Sequence, residues 1–126
     1  MQDLRIVVVD VEADEAGPAP ETIEIGAVGL RLYETHVEWL ERYRGFIRPT
    51  SGRVGTFVKS FCQYGPAEVR AIEAAPPFTD ALPVFLRWCD DRGLSAFASW
   101  GKYDANQLAR DCYRSDVPLP DLLLRH

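Results

Sequence analysis

Two carboxylates, spaced one residue apart, follow an apolar run near the start of the chain. The run covers residues 6–9, and Asp10 and Glu12 come directly after it with Val11 between them. Side chains two residues apart on a strand point to the same side, so these carboxylates lie close together, repel each other and lose hydration. A divalent cation is the most direct compensation for such a pair. The alternative is that the chain leaves the core here and both acids lie in water.

A third carboxylate, Asp104, stands at the start of a predicted helix and follows a short apolar segment, residues 94–99. If that segment is a strand parallel to the first one, Asp104 comes close to Asp10 and Glu12. The alternative is structural, because an Asp followed three residues later by Gln107 is typical of a helix N-cap.

The elements that position these acids are predicted from hydrophobic periodicity. Residues 4–12 form a strand that we expect to be buried on both faces, since its apolar run is continuous. Alternation over residues 22–32 predicts a second strand, with a bulge or a close approach to the first strand near Gly26 and Ala27. Residues 42–48 alternate as a third strand, antiparallel to the second and at a sheet edge. The first half is therefore expected to be an antiparallel meander.

The second half of the chain changes to a helical period. Asp111, late in the last predicted helix, is interpreted as a solvated or salt-bridged surface acid. With the strand over residues 94–99, these elements predict one α/β domain spanning residues 1–126. The predicted helical segments are residues 56–64 (one or two turns), 66–74, 78–93 and 103–114.

Composition is that of an ordinary globular domain, with 126 residues, 47% apolar and 26% charged. The net charge of −5 counts mildly against nonspecific coating of nucleic acid, but it is compatible with a nuclease whose carboxylates are offset by cations. Three scattered cysteines, Cys62, Cys89 and Cys112, indicate free thiols in a reducing compartment. Since the sequence shows neither a signal peptide nor a membrane-spanning run, we expect a cytoplasmic protein.

Four blocks, in order along nearly the whole chain, resemble the DEDDh 3′–5′ exonucleases, and most closely their ERI1-type exoribonuclease branch. That family has a ribonuclease H-like fold, so the resemblance implies a mixed sheet, with an antiparallel meander of three strands plus a parallel strand, and flanking helices. The matching blocks are residues 8–13 (VVDVEA), 22–28 (TIEIGAV), 74–78 (AAPPF) and 99–104 (SWGKYD).

The resemblance implies a metal-dependent 3′–5′ exonuclease acting on single-stranded RNA or DNA. Asp10, Glu12 and Asp104 match the family's catalytic carboxylates, which hold two Mg²⁺ or Mn²⁺ ions on the scissile phosphate at a 3′ end. Ala13 matches a small residue whose backbone lines the pocket for the terminal nucleotide. Tyr103 matches an aromatic residue that stacks on the terminal base, with ordinary helix packing as the alternative.

The sequence departs from the family pattern at two places. Asp14 stands where the family commonly has Thr, and we expect it to add negative charge near the phosphate path. The family's third motif is a His followed five residues later by an Asp; the His deprotonates the attacking water and the Asp is the fourth metal ligand. His126 has no Asp after it and is too close to Asp104, so it is not assigned this role.

These departures lead us to expect a domain that is incomplete at its C-terminus, without the family's last strand and helix. We expect the C-terminal edge of the sheet exposed by this either to lower solubility or to be covered by a second copy of the chain in a homodimer. The alternative function is a noncatalytic module with a degenerate nuclease fold that binds nucleic acid or a protein. A small-molecule α/β domain is disfavoured, because no glycine-rich phosphate loop follows the first strand.

Overall fold

A computed structural model describes residues 4–15, 17–55 and 64–125 of the chain. Most of the helical turns predicted for residues 56–64 lie outside the described residues, as do Cys62 and His126. Among the described residues, no helix has the length and apolar character needed to cross a membrane. The elements are β1 (Leu4–Asp14), β2 (Glu21–Leu32), β3 (Val37–Phe46), α1 (Pro66–Glu73), α2 (Phe78–Asp91), β4 (Ala96–Ala98), α3 (Tyr103–Arg114) and a 3₁₀ helix (Asp121–Arg125).

The described strands form a four-stranded mixed sheet in the order β3-β2-β1-β4. β1 pairs antiparallel with β2, and β2 pairs antiparallel with β3. β4 runs parallel to β1, with Val7 opposite Phe97. The predicted α/β class, the antiparallel meander and the parallel fourth strand are therefore confirmed, and β1 lies inside the sheet with a partner on each side.

Helices cover one face of this sheet among the described residues. On β1 the buried apolar side chains are Val7, Val9 and Val11, which belong to the same core cluster as Phe85 of α2 and Leu108 of α3. Val8 lies on the opposite face and is 37% exposed. The prediction that β1 is buried on both faces was wrong, because a continuous run of apolar residues does not show which side of the pleat is covered.

β3 begins at Val37, five residues before the predicted start at residue 42. Its first half carries Glu38 and Glu41, which are exposed. Charged side chains suit an edge strand because they reach water and oppose pairing with another sheet. The predicted edge position is confirmed, and the charges that protect the edge are what concealed the start of the strand.

The irregular positions of the sheet differ from the predicted ones. Register shifts occur between Glu12 and Ala13 and between Gly29 and Leu30, so the bulge predicted near Gly26 and Ala27 was wrongly placed. The close approach is present, since a Cβ on Gly26 would lie 3.4 Å from the Asp10 carbonyl oxygen. The shift after Glu12 falls at the end of β1 that carries the acids.

Asp111 is buried in the described structure, with no exposed surface. The predicted surface position was therefore wrong. The predicted salt bridge is present and is made with Arg114. Its carboxylate accepts bonds from the Thr22 N–H and hydroxyl, from the Gln107 amide at 3.3 Å and from Arg114 at 2.9 Å. Asp111 lies three residues after core-facing Leu108, so it shares the inward face of α3. These bonds fix the second half of α3 to the start of β2.

Candidate active site

Asp10 and Glu12 lie on the open face of the sheet at the end of β1. Val11 between them is buried in the core, whereas Asp10 is exposed and Glu12 is half-buried. The alternation of the strand therefore places both carboxylates on the same side. Val8, two residues before Asp10, continues the same face as an apolar surface.

Asp104 lies in the first turn of α3 and is 5% exposed. Its Oδ1 accepts a hydrogen bond of 2.9 Å from the N–H of Val11. The parallel ladder between β1 and β4 ends at Val8 and Ala98, so an N–H three residues further along has no strand partner on that side. A buried N–H needs an acceptor, and the Asp104 carboxylate supplies it.

The N-cap of α3 is Lys102, with no side-chain cap bond. Asp104 is two residues inside the helix, so the N-cap interpretation of this acid was wrong. Its structural contact is made to β1 instead. This bond brings the third predicted acid to the residue that separates Asp10 from Glu12.

The carboxylates of this site repel one another. Burial, followed by the negative charges of Asp104 and Glu24, raises the pKa of Asp10. Burial, followed by the charges of Asp10, Glu24 and Asp104, raises the pKa of Glu12. Among the described residues neither Asp10 nor Glu12 has a cationic side chain as ion-pair partner. The cluster therefore favours a bound proton or a bound cation.

Glu24 is a fourth carboxylate of this cluster that the sequence analysis did not single out. It pairs with Glu12 across β1 and β2. Its carboxylate accepts a hydrogen bond of 2.7 Å from Arg44 and another from the Tyr64 hydroxyl. The available signal was the antiparallel pairing of β1 and β2, but the register that places Glu24 beside Glu12 depends on the shift after Glu12.

Arg44 connects the cluster to the first helix. Its guanidinium bonds to Glu24 and to Glu68 of α1, each at 2.7 Å. These two carboxylates raise the pKa of Arg44, and Arg44 lowers the pKa of Glu68. The charge of Glu24 is thus compensated, whereas the charges of Asp10 and Glu12 on the adjoining strand are not.

Tyr103 and Ala13 both lie beside the acids. Tyr103 begins α3 and is half-exposed, and its pKa is raised by burial and by nearby negative charges that include Asp104 and Glu12. Ala13 is half-buried and directly follows the register shift of β1. The structure therefore brings both predicted substrate residues to the same end of β1 as the carboxylates.

Asp14 does not add an exposed charge beside the acids, contrary to the expectation from the sequence. Its side chain is buried, and Oδ2 accepts a hydrogen bond of 3.0 Å from the N–H of Gly55. The carboxylate therefore ties the end of β1 to the loop after β3. The expectation that this acid adds exposed charge to the site was wrong because a backbone donor from a distant loop holds it in the interior.

The donors at the site suit a hard divalent cation in type and in charge. Asp10, Glu12 and Asp104 offer only carboxylate oxygens, the ligands that Mg²⁺ and Mn²⁺ prefer. Burial and then the neighbouring negative charges raise the pKa of Asp10 and Glu12, and a bound cation offsets both effects. Among the described residues no three His, Cys, Asp or Glu side chains already form a group able to hold a metal ion. Binding therefore requires the exposed side chains to turn towards the ion.

No protein-family model matches the chain, and no curated protein matches it. Solved structures do match. A full-length 3′-exonuclease superposes with a TM-score of 0.76 at 19% identity, over 95% of this chain and 56% of that one. A structure of 3′-end-specific recognition of a histone mRNA stem-loop by a 3′-exonuclease superposes with a TM-score of 0.76 at 20% identity, over 95% of this chain and 56% of that one. Cell-death related nuclease 4 superposes with a TM-score of 0.78 at 17% identity, over 94% of this chain and 43% of that one.

The chain spans about half the length of these solved structures. At such identities the match concerns the fold, and it agrees with the mixed sheet and helices described above. The chain therefore has the α/β fold of these nucleases, as its resemblance to the DEDDh exonucleases implied.

Proposed function

We propose that this chain is a single exonuclease-like domain that hydrolyses phosphodiester bonds at the 3′ end of single-stranded RNA or DNA in the presence of a divalent metal. The observation that carries the proposal is the bond from the Val11 N–H to Asp104, because it holds the third acid beside Asp10 and Glu12. The fold shared with 3′-exonucleases adds support.

In this proposal Asp10, Glu12 and Asp104 would hold two Mg²⁺ or Mn²⁺ ions. When bound, the ions lower the pKa of the attacking water and neutralise charge on the leaving oxygen. Asp104 keeps its position through Oδ1 and the Val11 N–H. The backbone at Ala13 lines the site of the terminal nucleotide, and the half-exposed ring of Tyr103 stacks on its base, an interaction that tolerates any sequence.

A general base is not assigned within the described residues. His36, the one histidine among them, lies in the connection between β2 and β3 and stacks on Tyr33 with ring centroids 4.4 Å apart. That connection is at the opposite end of β2 from Glu24, the partner of Glu12. Absence of a general base typically slows a reaction by about 10²–10⁴-fold, so we propose slow turnover for this chain alone.

The alternative is a noncatalytic module that binds single-stranded nucleic acid or a protein. Two observations favour it: among the described residues no metal-holding group is preassembled and no histidine lies beside the acids. It predicts binding of a single strand without nucleotide release in any metal.

The test is release of nucleotides from 3′-labelled single-stranded RNA and DNA in Mg²⁺ and in Mn²⁺. We expect slow, metal-dependent release that an Asp10→Ala, Glu12→Ala double variant abolishes. Asp90→Asn, an exposed acid on α2, is the matched control and should retain the full rate. Binding of the strand without release by the unmodified chain would favour the noncatalytic module, and release unaffected by the double variant would exclude the proposed site.

We also propose that a second copy of the chain covers the C-terminal edge of the sheet, which is the edge at β4. Among the described strands β4 pairs only with β1, and the 3₁₀ helix that contacts β4 carries Leu124, which is 68% exposed. A Leu124→Lys variant should shift the chain from dimer to monomer in sedimentation equilibrium. Val84→Lys, on the exposed side of α2, is the control that should leave the dimer intact. A monomer at all concentrations would contradict a homodimer.

A cytoplasmic location is proposed from the cysteines. Cys89 and Cys112 are free and buried among the described residues. Burial raises the pKa of the Cys89 thiol to about 12 and that of Cys112 to about 11, so neither forms a reactive thiolate at neutral pH. Microscopy of the tagged protein tests the location.

A further inference from the structure

Trp100, in the turn that leads from β4 to α3, is the most exposed tryptophan among the described residues. Trp100 is 98% exposed, whereas Trp88 packs between Tyr43 and Phe85. Tryptophan is highly buried on average, because its large ring gains much from leaving water. A ring this exposed has no packing role in the described fold and is available to contact an external partner.

The backbone that presents Trp100 is defined by local bonds. The Ser99 hydroxyl donates to the Gly101 carbonyl oxygen at 2.7 Å, and Gly101 has a φ of +81°, which favours glycine. The chain then enters α3, whose two ends are bonded to the sheet through Asp104 and Asp111. The tryptophan is therefore carried by a shaped turn between two anchored elements.

The turn limits the distance between Trp100 and the site. Trp100 precedes Asp104 by four residues, and four extended residues span at most about 14 Å between Cα atoms. Between them lie Lys102, exposed, and Tyr103, half-exposed beside Glu12 and Asp104. Two open aromatic rings that flank a cation suit a single strand, since bases stack on the rings and a phosphate approaches the amine.

We propose that Trp100 stacks on a second base of the bound single strand, next to the terminal base that stacks on Tyr103. This role rests on the proposed function, because Trp100 would bind the same single-stranded substrate. Stacking by Trp100 gives affinity without sequence preference and requires at least two unpaired nucleotides at the 3′ end. The ligand class is therefore a short single-stranded 3′ tail of RNA or DNA.

The experiment uses the intrinsic fluorescence of the chain, which has three tryptophans. Titration with an unlabelled single-stranded oligonucleotide in Ca²⁺ should quench the emission. Trp100→Phe should remove most of this quenching, whereas Trp39→Phe, an exposed ring on the far part of the open face, should retain it. Quenching that persists in Trp100→Phe would overturn the proposal.

Affinity provides the second measurement, by fluorescence anisotropy of a labelled oligonucleotide. Trp100→Ala should weaken binding by about 5- to 150-fold, as expected for one stacked base. Tyr113→Ala, 91% exposed at the other end of α3, is the matched control and should change the affinity less than twofold. Thermal unfolding should be unchanged in both variants because neither ring packs in the fold. An unchanged affinity in Trp100→Ala would also overturn the proposal.

Failure of this inference and failure of the proposed function give different results. If the chain binds and is quenched through Trp100 but releases no nucleotide, stacking stands and the exonuclease proposal fails. If metal-dependent release occurs and Trp100→Ala changes neither KM nor quenching, stacking fails alone. If Trp100→Ala instead converts a dimer to a monomer in sedimentation, the ring serves a protein contact and the proposal is overturned.

Discussion

The two carboxylates on the inward face of α3 make the same kind of bond in opposite surroundings. Asp104 accepts the N–H of Val11 on β1, and Asp111 accepts the N–H of Thr22 on β2. Asp111 is also bonded to the Gln107 amide and to Arg114. Asp104 lies beside acids whose pKa values its charge raises.

The difference separates an acid that serves the fold from one that also serves the site. Around Asp111 each charge is compensated and the carboxylate is fully buried, so its bonds stabilise the native state. Beside Asp104, uncompensated acids face an open surface, which costs stability and is typical of functional sites. One helix therefore carries a structural anchor at its end and a candidate catalytic acid at its start.

The largest expected effect is on turnover. Asp104→Asn keeps an oxygen for the Val11 N–H but removes the charge that would hold metal, so nucleotide release should fall on the order of 10³-fold. The denaturation midpoint should change little. Single-turnover kinetics and urea titration measure the two quantities. An Asp104→Asn variant with a lowered denaturation midpoint but an unchanged rate of release would contradict the assignment of Asp104 to the site.

Asp111→Asn should show the opposite pattern. Its amide keeps one acceptor oxygen but places an NH₂ group against donors that the carboxylate accepts, the Gln107 amide or Arg114, and it removes the negative charge that pairs with the partly exposed Arg114. The free energy of unfolding should fall by about 1–3 kcal/mol, while the specific activity of the folded fraction is retained. Urea denaturation checks the value, with Asp90→Asn as an exposed control. A loss of activity without destabilisation would place this acid in the site.

The smallest effect concerns pH. The pKa values of Asp10 and Glu12 are raised in the folded state, so their ionisation favours the unfolded chain, and stability is lost as pH rises through the folded pKa values. The metal-free variant with Asp10→Asn and Glu12→Gln should therefore be more stable than the parent at pH 7, by less than about 1 kcal/mol after solvent screening. The gap should close at low pH, where both acids are protonated.

Added Mg²⁺ completes this test, because a ligand that binds only the native state stabilises it. It should raise the midpoint of the parent and leave the double variant unchanged. A variant that is less stable than the parent at pH 7 without metal would show that the acids are already compensated. Urea titrations at several pH values provide both comparisons.

The sequence predicted α3 to the residue, because core-facing Leu108 and Cys112 repeat at helical spacing. It did not predict the burial of Asp111. A charged residue on an inward helix face is compatible with a surface position or with a buried ion pair until its partner is known. That partner, Thr22, is 89 positions away in the chain. Local pattern thus determines the helix, and a distant contact decides which of its acids is buried.

The site was predictable from the sequence to a similar extent. Asp10 and Glu12 share a side because the period of a strand is two, and Asp104 joins them once β4 is parallel to β1. Glu24 was missed because its position opposite Glu12 depends on strand register. Periodicity indicates the face of a residue but not its neighbour across the sheet.

The short β4 makes a single amide proton a reporter of the site. β4 ends at Ala98, so it does not reach the N–H of Val11 on β1. This N–H is shielded from solvent deuterium by the Asp104 carboxylate rather than by a strand. Its exchange rate therefore measures how often the start of α3 detaches from β1, while amides in the β1–β2 ladder measure opening of the sheet. Protection at this one position would follow assembly of the carboxylate cluster in real time, without substrate and without turnover.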